Sequence, residues 1–447
     1  MLGVNRAERL VGRAARWADR LDRRPALSAG LTGGWALAKT LAGTASAPIL
    51  AGMVVCRATV NHRRAKAEMV PFARRITGEL STDAVELDAT APVVITSDLH
   101  RCIGGRRDLV GMQDCRELYL AMLHWYADRR YQLVENGDVE DFWMVGGSVW
   151  GATYDLLRVT GAALGDAGRN LRPATYRAHL DRIVAANAEV YDTVTRRFVI
   201  PGRYVRTVGN HDDVYTDPRV ARYLSDLLGG ATIASWVRLV GPEGVEAVIT
   251  HGHQVDGWNA PGHDWIGKLA SWLADTVGDL PVAGRPGPLD GPDRTQELIG
   301  GQRPNQLLAV HERFGVNSSY DSLDEELLFE ALRAQDRPHP WLLLGHTHAP
   351  VLEPRSRTGR WWERYANSGY GIGNGLVTAL EWPGGAAPRR PLLVAWCWGD
   401  RPEWAELLGD NEVTSYHHHR PVHRVELEPS ADHHRLVASA ATLRASG

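Results

Sequence analysis

The chain has 447 residues, 44% of them hydrophobic and 23% charged, with a formal net charge of −3. This length allows a large core, and the composition excludes a disordered or fibrous chain, while the balanced charge gives no reason to expect a nucleic-acid partner. Four cysteines, Cys56, Cys102, Cys115 and Cys397, form no CxxC pair, which argues against a zinc ribbon or a secreted disulfide scaffold and fits a reducing, cytoplasmic setting.

Residues 1–80 read as a helical N-terminal extension. "RAERLVGRAARWADRLDRR" has the pattern of an Arg-rich amphipathic helix, one that packs on the main domain or makes peripheral contact with a membrane. The uncharged run from Leu41 to Cys56 is shorter than the ~20 residues of a spanning helix, and Lys39, Gly43 and Pro48 interrupt the wider apolar region. Arg23-Arg24 ahead of an apolar stretch is a twin-arginine export pattern that Pro25 and Lys39 spoil.

From Pro92 onward, short apolar runs alternate with segments of helical period, the pattern of an α/β domain. The residues that end these runs carry the chemistry. "VVITSDLH" ends in Asp98 and His100, two apart and therefore on one side of a strand. "YQLVENGDVED" ends in Gly137-Asp138, and "YVRTVGNHDD" in Asn210-His211-Asp212. "EAVITHGHQ" ends in His251, and "WLLLGHTHAP" in His346 and His348.

Between these runs, Gly111 to Arg130 reads as a helix burying Leu118, Met122 and Trp125, and Tyr176 to Arg196 as another. Two stretches, about 142–203 and 258–304, read as insertions. In the second, Trp265, Leu269, Trp272 and Val277 fall at helical spacing, an apolar face that packs on the domain or caps a lipid tail. After Ala349, "RWWERYANSG", "GLVTALEW", "PLLVAWCW" and "HRVELEP" read as strands completing a sheet.

Any one of these motifs has a plain explanation as a strand-end turn; five in one chain point to a shared site. Carboxylates, imidazoles and an amide suit Zn, Mn, Fe or Ni and not calcium, and a bridging carboxylate at Asp138 would hold two divalent ions about 3.5–4 Å apart.

In this order, D-x-H, G-D-x-x-D, G-N-H-D, a lone strand-end His and G-H-x-H resemble the calcineurin-like metallophosphoesterase superfamily, over roughly 92–380. The resemblance implies an α/β fold, the αββα sandwich of two mixed sheets flanked by helices, here spanning 81–447 with inserted helical cap segments. It implies one metal held by Asp98, His100, Asp138 and His348, and a second by Asp138, Asn210, His251 and His346. His211 would contact the scissile phosphate, with Asp212 expected to orient its ring. The activity implied is hydrolysis of a phosphoester by attack of a metal-bridging hydroxide on phosphorus, on a small-molecule substrate.

Asp141 is expected to accept a hydrogen bond from a ligand histidine or a nearby backbone group, or else to be a helix N-terminal acid. His253 is a candidate substrate contact, Cys102 a packing residue, and Asn367-Ser368-Gly369 a supporting turn. The run His417-His418-His419 reads as polar surface, because consecutive side chains point in different directions.

"GDVEDFW" and the insert after His251 are similar to the UDP-diacylglucosamine pyrophosphatase branch, so an alternative substrate is an acylated nucleotide-sugar or other lipid-linked diphosphate. Against that branch, its usual G-N-R-D stands here as Gly209-Asn210-His211-Asp212. A non-catalytic scaffold of the same fold would be marked by lost ligands, and no ligand position is lost.

Overall fold

The computed structural model describes residues 2–28, 30–32, 34–35, 67, 69–76, 84–104, 114–143, 145, 148–256, 259, 268, 328, 330–334, 339–348, 350–353, 362–371, 375–401, 404, 408, 411–429 and 436–438. The run Leu41–Cys56 and the apolar face of Trp265, Leu269, Trp272 and Val277 lie outside them. Among the described residues, no helix is long and apolar enough to cross a membrane.

In chain order the elements are α1 (Leu2–Asp22), β1 (Ala84–Asp88), β2 (Val93–Thr96), α2 (Arg116–Asp128), β3 (Gln132–Asn136), α3 (Val149–Ala163), α4 (Leu171–Ala186), α5 (Ala188–Val194), β4 (Tyr204–Thr207) and α6 (Pro218–Leu227). Eleven strands follow: β5 (Thr232–Ala234), β6 (Trp236–Gly241), β7 (Gly244–Ile249), β8 (Trp341–Leu344), β9 (Val351–Leu352), β10 (Tyr365–Asn367), β11 (Leu376–Trp382), β12 (Leu392–Trp398), β13 (Ser415–His417), β14 (Arg420–Pro429) and β15 (Leu436–Ala438).

The strands form two mixed sheets flanked by helices. The larger runs β13-β14-β12-β11-β2-β3-β4-β5, with β15 paired to β14, and the smaller runs β1-β6-β7-β8-β10-β9. In the larger sheet β2, β3, β4 and β5 are parallel, so the chain leaves the first three at one edge. In the smaller sheet β7 and β8 are also parallel.

Alternation along the strands of the smaller sheet divides its side chains between two cores. Val237, Leu239, Ala247, Ile249 and Leu343 join the main core, which includes β2, β3, β11 and β12 of the larger sheet. Trp236, Val248, Leu342 and Leu344 pack instead with Phe72, Ile76, Leu328 and Leu332. Each such buried side chain contributes roughly 1.5–3 kcal/mol, enough in sum to fix the register of both sheets.

Helix α2 buries Leu118 and Met122, while Trp125 is half-buried beside Trp396. The helical pattern across 176–196 is broken at Asn187. Its side-chain amide donates to the Ile183 carbonyl at 2.9 Å and the Cys102 carbonyl at 3.0 Å, so α4 ends and α5 begins there.

A buried charge lattice lies beneath the ends of β2, β3 and β4. Arg206 places one guanidinium nitrogen 2.5 Å from Glu135 and the other 2.6 Å from both oxygens of Glu140, and Arg101 meets Glu135 at 2.5 Å. Tyr204 and Tyr119 donate to Glu135, and Tyr191 and Tyr215 to Glu140. Burial opposes ionisation of Glu135, yet the two arginines hold its carboxyl down at about 2. Removing one partner from such a lattice leaves uncompensated buried charge. Arg206→Ala is expected to cost about 3–5 kcal/mol in urea unfolding; a loss under 1 kcal/mol would show that the lattice carries no such charge.

Candidate metal centre

The parallel strands deliver the candidate ligands together. Asp98 and His100 follow β2, Asp138 follows β3, Asn210 and His211 follow β4, His251 follows β7, and His346 and His348 follow β8. Turning sharply off the strand ends, Asp98, His100, Asp138, His346 and His348 take positive φ of 53°, 44°, 50°, 74° and 53°. Such backbone is uncommon for non-glycine residues and persists where surrounding structure enforces it.

Glycine is required where the turns crowd together. A Cβ on Gly137 (φ +76°) would lie 2.6 Å from the His251 ring, and one on Gly209 would lie 2.2 Å from an oxygen of Asp138. Backbone bonds from Asp98 N to Gly137 O (3.2 Å) and His100 N to Asp138 O (2.9 Å) tie the first two turns together.

Among the described residues, three His/Asp groups at these strand ends could hold a metal ion: Asp98 with His100 and His348, Asp138 with His251 and His346, and His100 with Asp141 and His211. Metal–nitrogen bonds of about 2.0–2.1 Å put neighbouring donors on one ion about 2.9–3.4 Å apart. Here His100 Nε2 and His348 Nε2 are 3.1 Å apart, and His348 Nε2 and Asp98 Oδ1 3.2 Å. In the second cluster His251 Nε2 is 3.2 Å from Asp138 Oδ2 and 3.3 Å from Asn210 Oδ1. Asp138 Oδ2 also lies 4.0 Å from His100 Nε2, between the clusters.

The remaining atoms of these side chains are committed elsewhere, which fixes the donors that face inward. Asp98 Oδ2 accepts from the Ser97 hydroxyl and from His346 N, which leaves its buried Oδ1 facing His348 Nε2. His251 Nδ1 donates to the Asn136 carbonyl at 2.8 Å, so Nε2 is the nitrogen turned to Asp138. His100 Nδ1 lies 3.3 Å from Asp141, turning its Nε2 to His348. His346 Nε2 meets Asp256 Oδ2 at 2.8 Å, and its buried Nδ1 has no hydrogen-bond partner among the described residues. An orphaned buried donor atom and a close nitrogen pair fit bound cations.

His211 stands beside the first cluster. Its ring stacks on Trp143 at 4.2 Å and meets the edge of His100 at 4.6 Å. Here the structure corrects the sequence reading: Asp141, and not Asp212, orients that ring, with Asp141 Oδ2 3.1 Å from His211 Nδ1. Asp212 turns back on its own loop, accepting from Gly209 N at 2.6 Å and Val139 N at 3.0 Å. It therefore shapes the turn that presents Asn210.

Three further residues escaped the sequence reading. Asp256 holds His346 from 90 positions away in the sequence, Ser97 binds Asp98, and Trp143 supports His211. Lys268 sets its ammonium 2.6 Å from Asp213 and 5.5 Å from the Trp143 ring. Ser368 hydrogen-bonds Ser97 at 2.7 Å and the Asn367 amide donates to the Gly345 carbonyl at 2.6 Å, so the Asn367-Ser368-Gly369 turn braces Asp98 and the start of the Gly345–His348 loop. His253 is buried with its ring 5.4 Å from that of His251 and 6.3 Å from that of His346. Cys102 is buried. His417 and His418 lie apart from this centre, 3.1 and 3.7 Å from Glu117. No protein-family model and no curated protein matches the chain.

Burial disfavours charge on His211, but Asp141 and Asp138 win and hold its imidazole up at about 9. Burial likewise opposes charge on His251, which Asp138 and Asp98 hold up at about 9. Both values lie above the ordinary 6.5, so the ion pairs stabilise the metal-free fold fully below pH 6.5 and are lost as pH rises through 9. Thermal melts in chelator should show Tm falling across that window; a flat Tm would contradict the pairing. Asp256→Ala is expected to weaken metal affinity about 10–100-fold at one site, read by titration with Zn or Mn while the other site keeps its affinity.

Proposed function

We propose that the chain is a dinuclear metal-dependent phosphoesterase of the calcineurin-like type, its two mixed sheets forming that family's αββα sandwich. The observation that carries this reading is the pair of clusters meeting at Asp138, with donor separations of 3.1–3.3 Å suited to cations. Asp98, His100, Asp138 and His348 would hold one ion, and Asp138, Asn210, His251 and His346 the other. Two divalent ions bound there supply Lewis acidity towards a phosphoryl group and acidify a water enough to act as nucleophile near neutral pH.

The chain's own residues do the rest. His211, ion-paired with Asp141, stands beside the first cluster, where a protonated ring would stabilise the phosphoryl oxygens and donate a proton to the departing alkoxide. Asp141 hydrogen-bonds His100 and ion-pairs with His211, so one carboxylate sets the position of the phosphate contact relative to a candidate ligand. Trp143 backs the His211 ring and donates its backbone N–H to Asp141 at 2.8 Å, limiting rotation of the pair. The carboxylate and imidazole donor set includes no thiolate, which favours Mn, Fe, Zn or Ni.

The metal-loaded chain is expected to carry two divalent ions by elemental analysis and to hydrolyse p-nitrophenyl or bis-p-nitrophenyl phosphate. Asp138→Asn should lower occupancy and abolish turnover, whereas His211→Ala should retain both ions and lose about 10²–10³-fold in kcat. Full occupancy with no turnover of either ester would favour the scaffold reading. A preference for acylated diphosphates over both esters would favour the lipid-linked substrate.

A further inference from the structure

We infer that α1 is a docking face for an anionic lipid bilayer. At 3.6 residues per turn, Arg6, Leu10, Arg13, Trp17 and Arg20 stand at i, i+4, i+7, i+11 and i+14 and form one stripe. All five are exposed, Leu10 at 54% and Trp17 at 49%, and the neighbouring Arg9 and Arg16 are exposed as well. Large apolar side chains alternating with arginines along an outward stripe are not explained by packing.

The opposite face shows where the helix is already engaged. Val11 and Ala18 are buried in the main core. Glu8 pairs with Arg177 of α4 at 2.7 Å and Asp19 with Arg182 of α4 at 2.6 Å. Asp22 caps α3, accepting from Val149 N at 2.8 Å and Trp150 N at 3.3 Å. The acids of α1 are thus met by the protein's own cations and amides, and the outward stripe keeps only positive charge.

This arrangement fits a bilayer better than another polyanion. Arginines are attracted to anionic headgroups, and Trp17 and Leu10 enter the interfacial layer, Trp with its amphipathic ring at headgroup level. A nucleic acid would use the arginines and leave Leu10 without a role. The inference stands on α1 alone and does not depend on the metal centre.

Flotation of the full chain with phosphatidylcholine vesicles, with and without phosphatidylglycerol, tests it. Binding is expected only where phosphatidylglycerol is present and should weaken as salt rises. Arg13→Gln and Arg20→Gln should each lower the partition coefficient about five-fold at low salt. Trp17→Ala should weaken binding with the circular dichroism spectrum unchanged, since the side chain is exposed. Equal binding to both vesicles, no binding to either, or variants that float like the parent chain would overturn the inference; so would capture by a single-stranded RNA in the absence of vesicle binding.

Discussion

Charge burial at Asp138 is the constraint on which the rest of the structure turns. Asp98, Asp138 and Asp141 are buried and face histidines, so the negative charge must be balanced by protons on those rings or by bound cations. In the metal-free chain the balance is reached by holding His211 and His251 protonated to about pH 9. Divalent ions bound there would compete with the proton on His251, a candidate ligand.

Such a cluster forms only if the backbone is driven into the turns that build it. Five of the candidate ligands have positive φ, and three of them, Asp98, His100 and Asp138, stand on turns that sit over the lattice of Arg101, Glu135, Glu140 and Arg206. Arg101 directly follows His100, Glu140 is two residues beyond Asp138, and Arg206 lies on β4 before Asn210. The motifs after β2, β3 and β4 thus each carry, within a few residues, a member of the lattice that anchors them. Well-packed apolar residues would match the lattice in stability; its geometric advantage is to join three strand ends through fixed bidentate contacts.

The residues gathered at the candidate centre were legible in the sequence because each ends an apolar run with a residue type that a strand end rarely needs. The two mixed sheets were legible from the same runs and from the strand-like segments after Ala349. What the sequence hid depended on side-chain direction. Asp141 and Asp212 both lie near motif histidines, and only the loop conformation shows that Asp212 bends back to Gly209 N while Asp141 reaches His211. Asp256 belongs to no recurring pattern, and its partner lies in another strand's loop. Glu135 and Arg206 sit at strand positions where polar residues suggest solvent, yet both are fully buried because each satisfies the other.

The helical layer between the sheets and α1 has a direct physical link to the metal centre. Arg182, paired with Asp19 of α1, lies 4.2 Å over the Trp150 ring. Trp150 Nε1 donates to His179 Nδ1 at 3.0 Å, which requires that nitrogen to be unprotonated; burial, outweighing the pull of Asp141, pushes His179 down to about 3 and meets the requirement. His179 packs 5.6 Å from Phe142, and the next residue, Trp143, backs His211. The layer therefore joins the His211 wall of the candidate centre to α1 through one series of packed and hydrogen-bonded contacts.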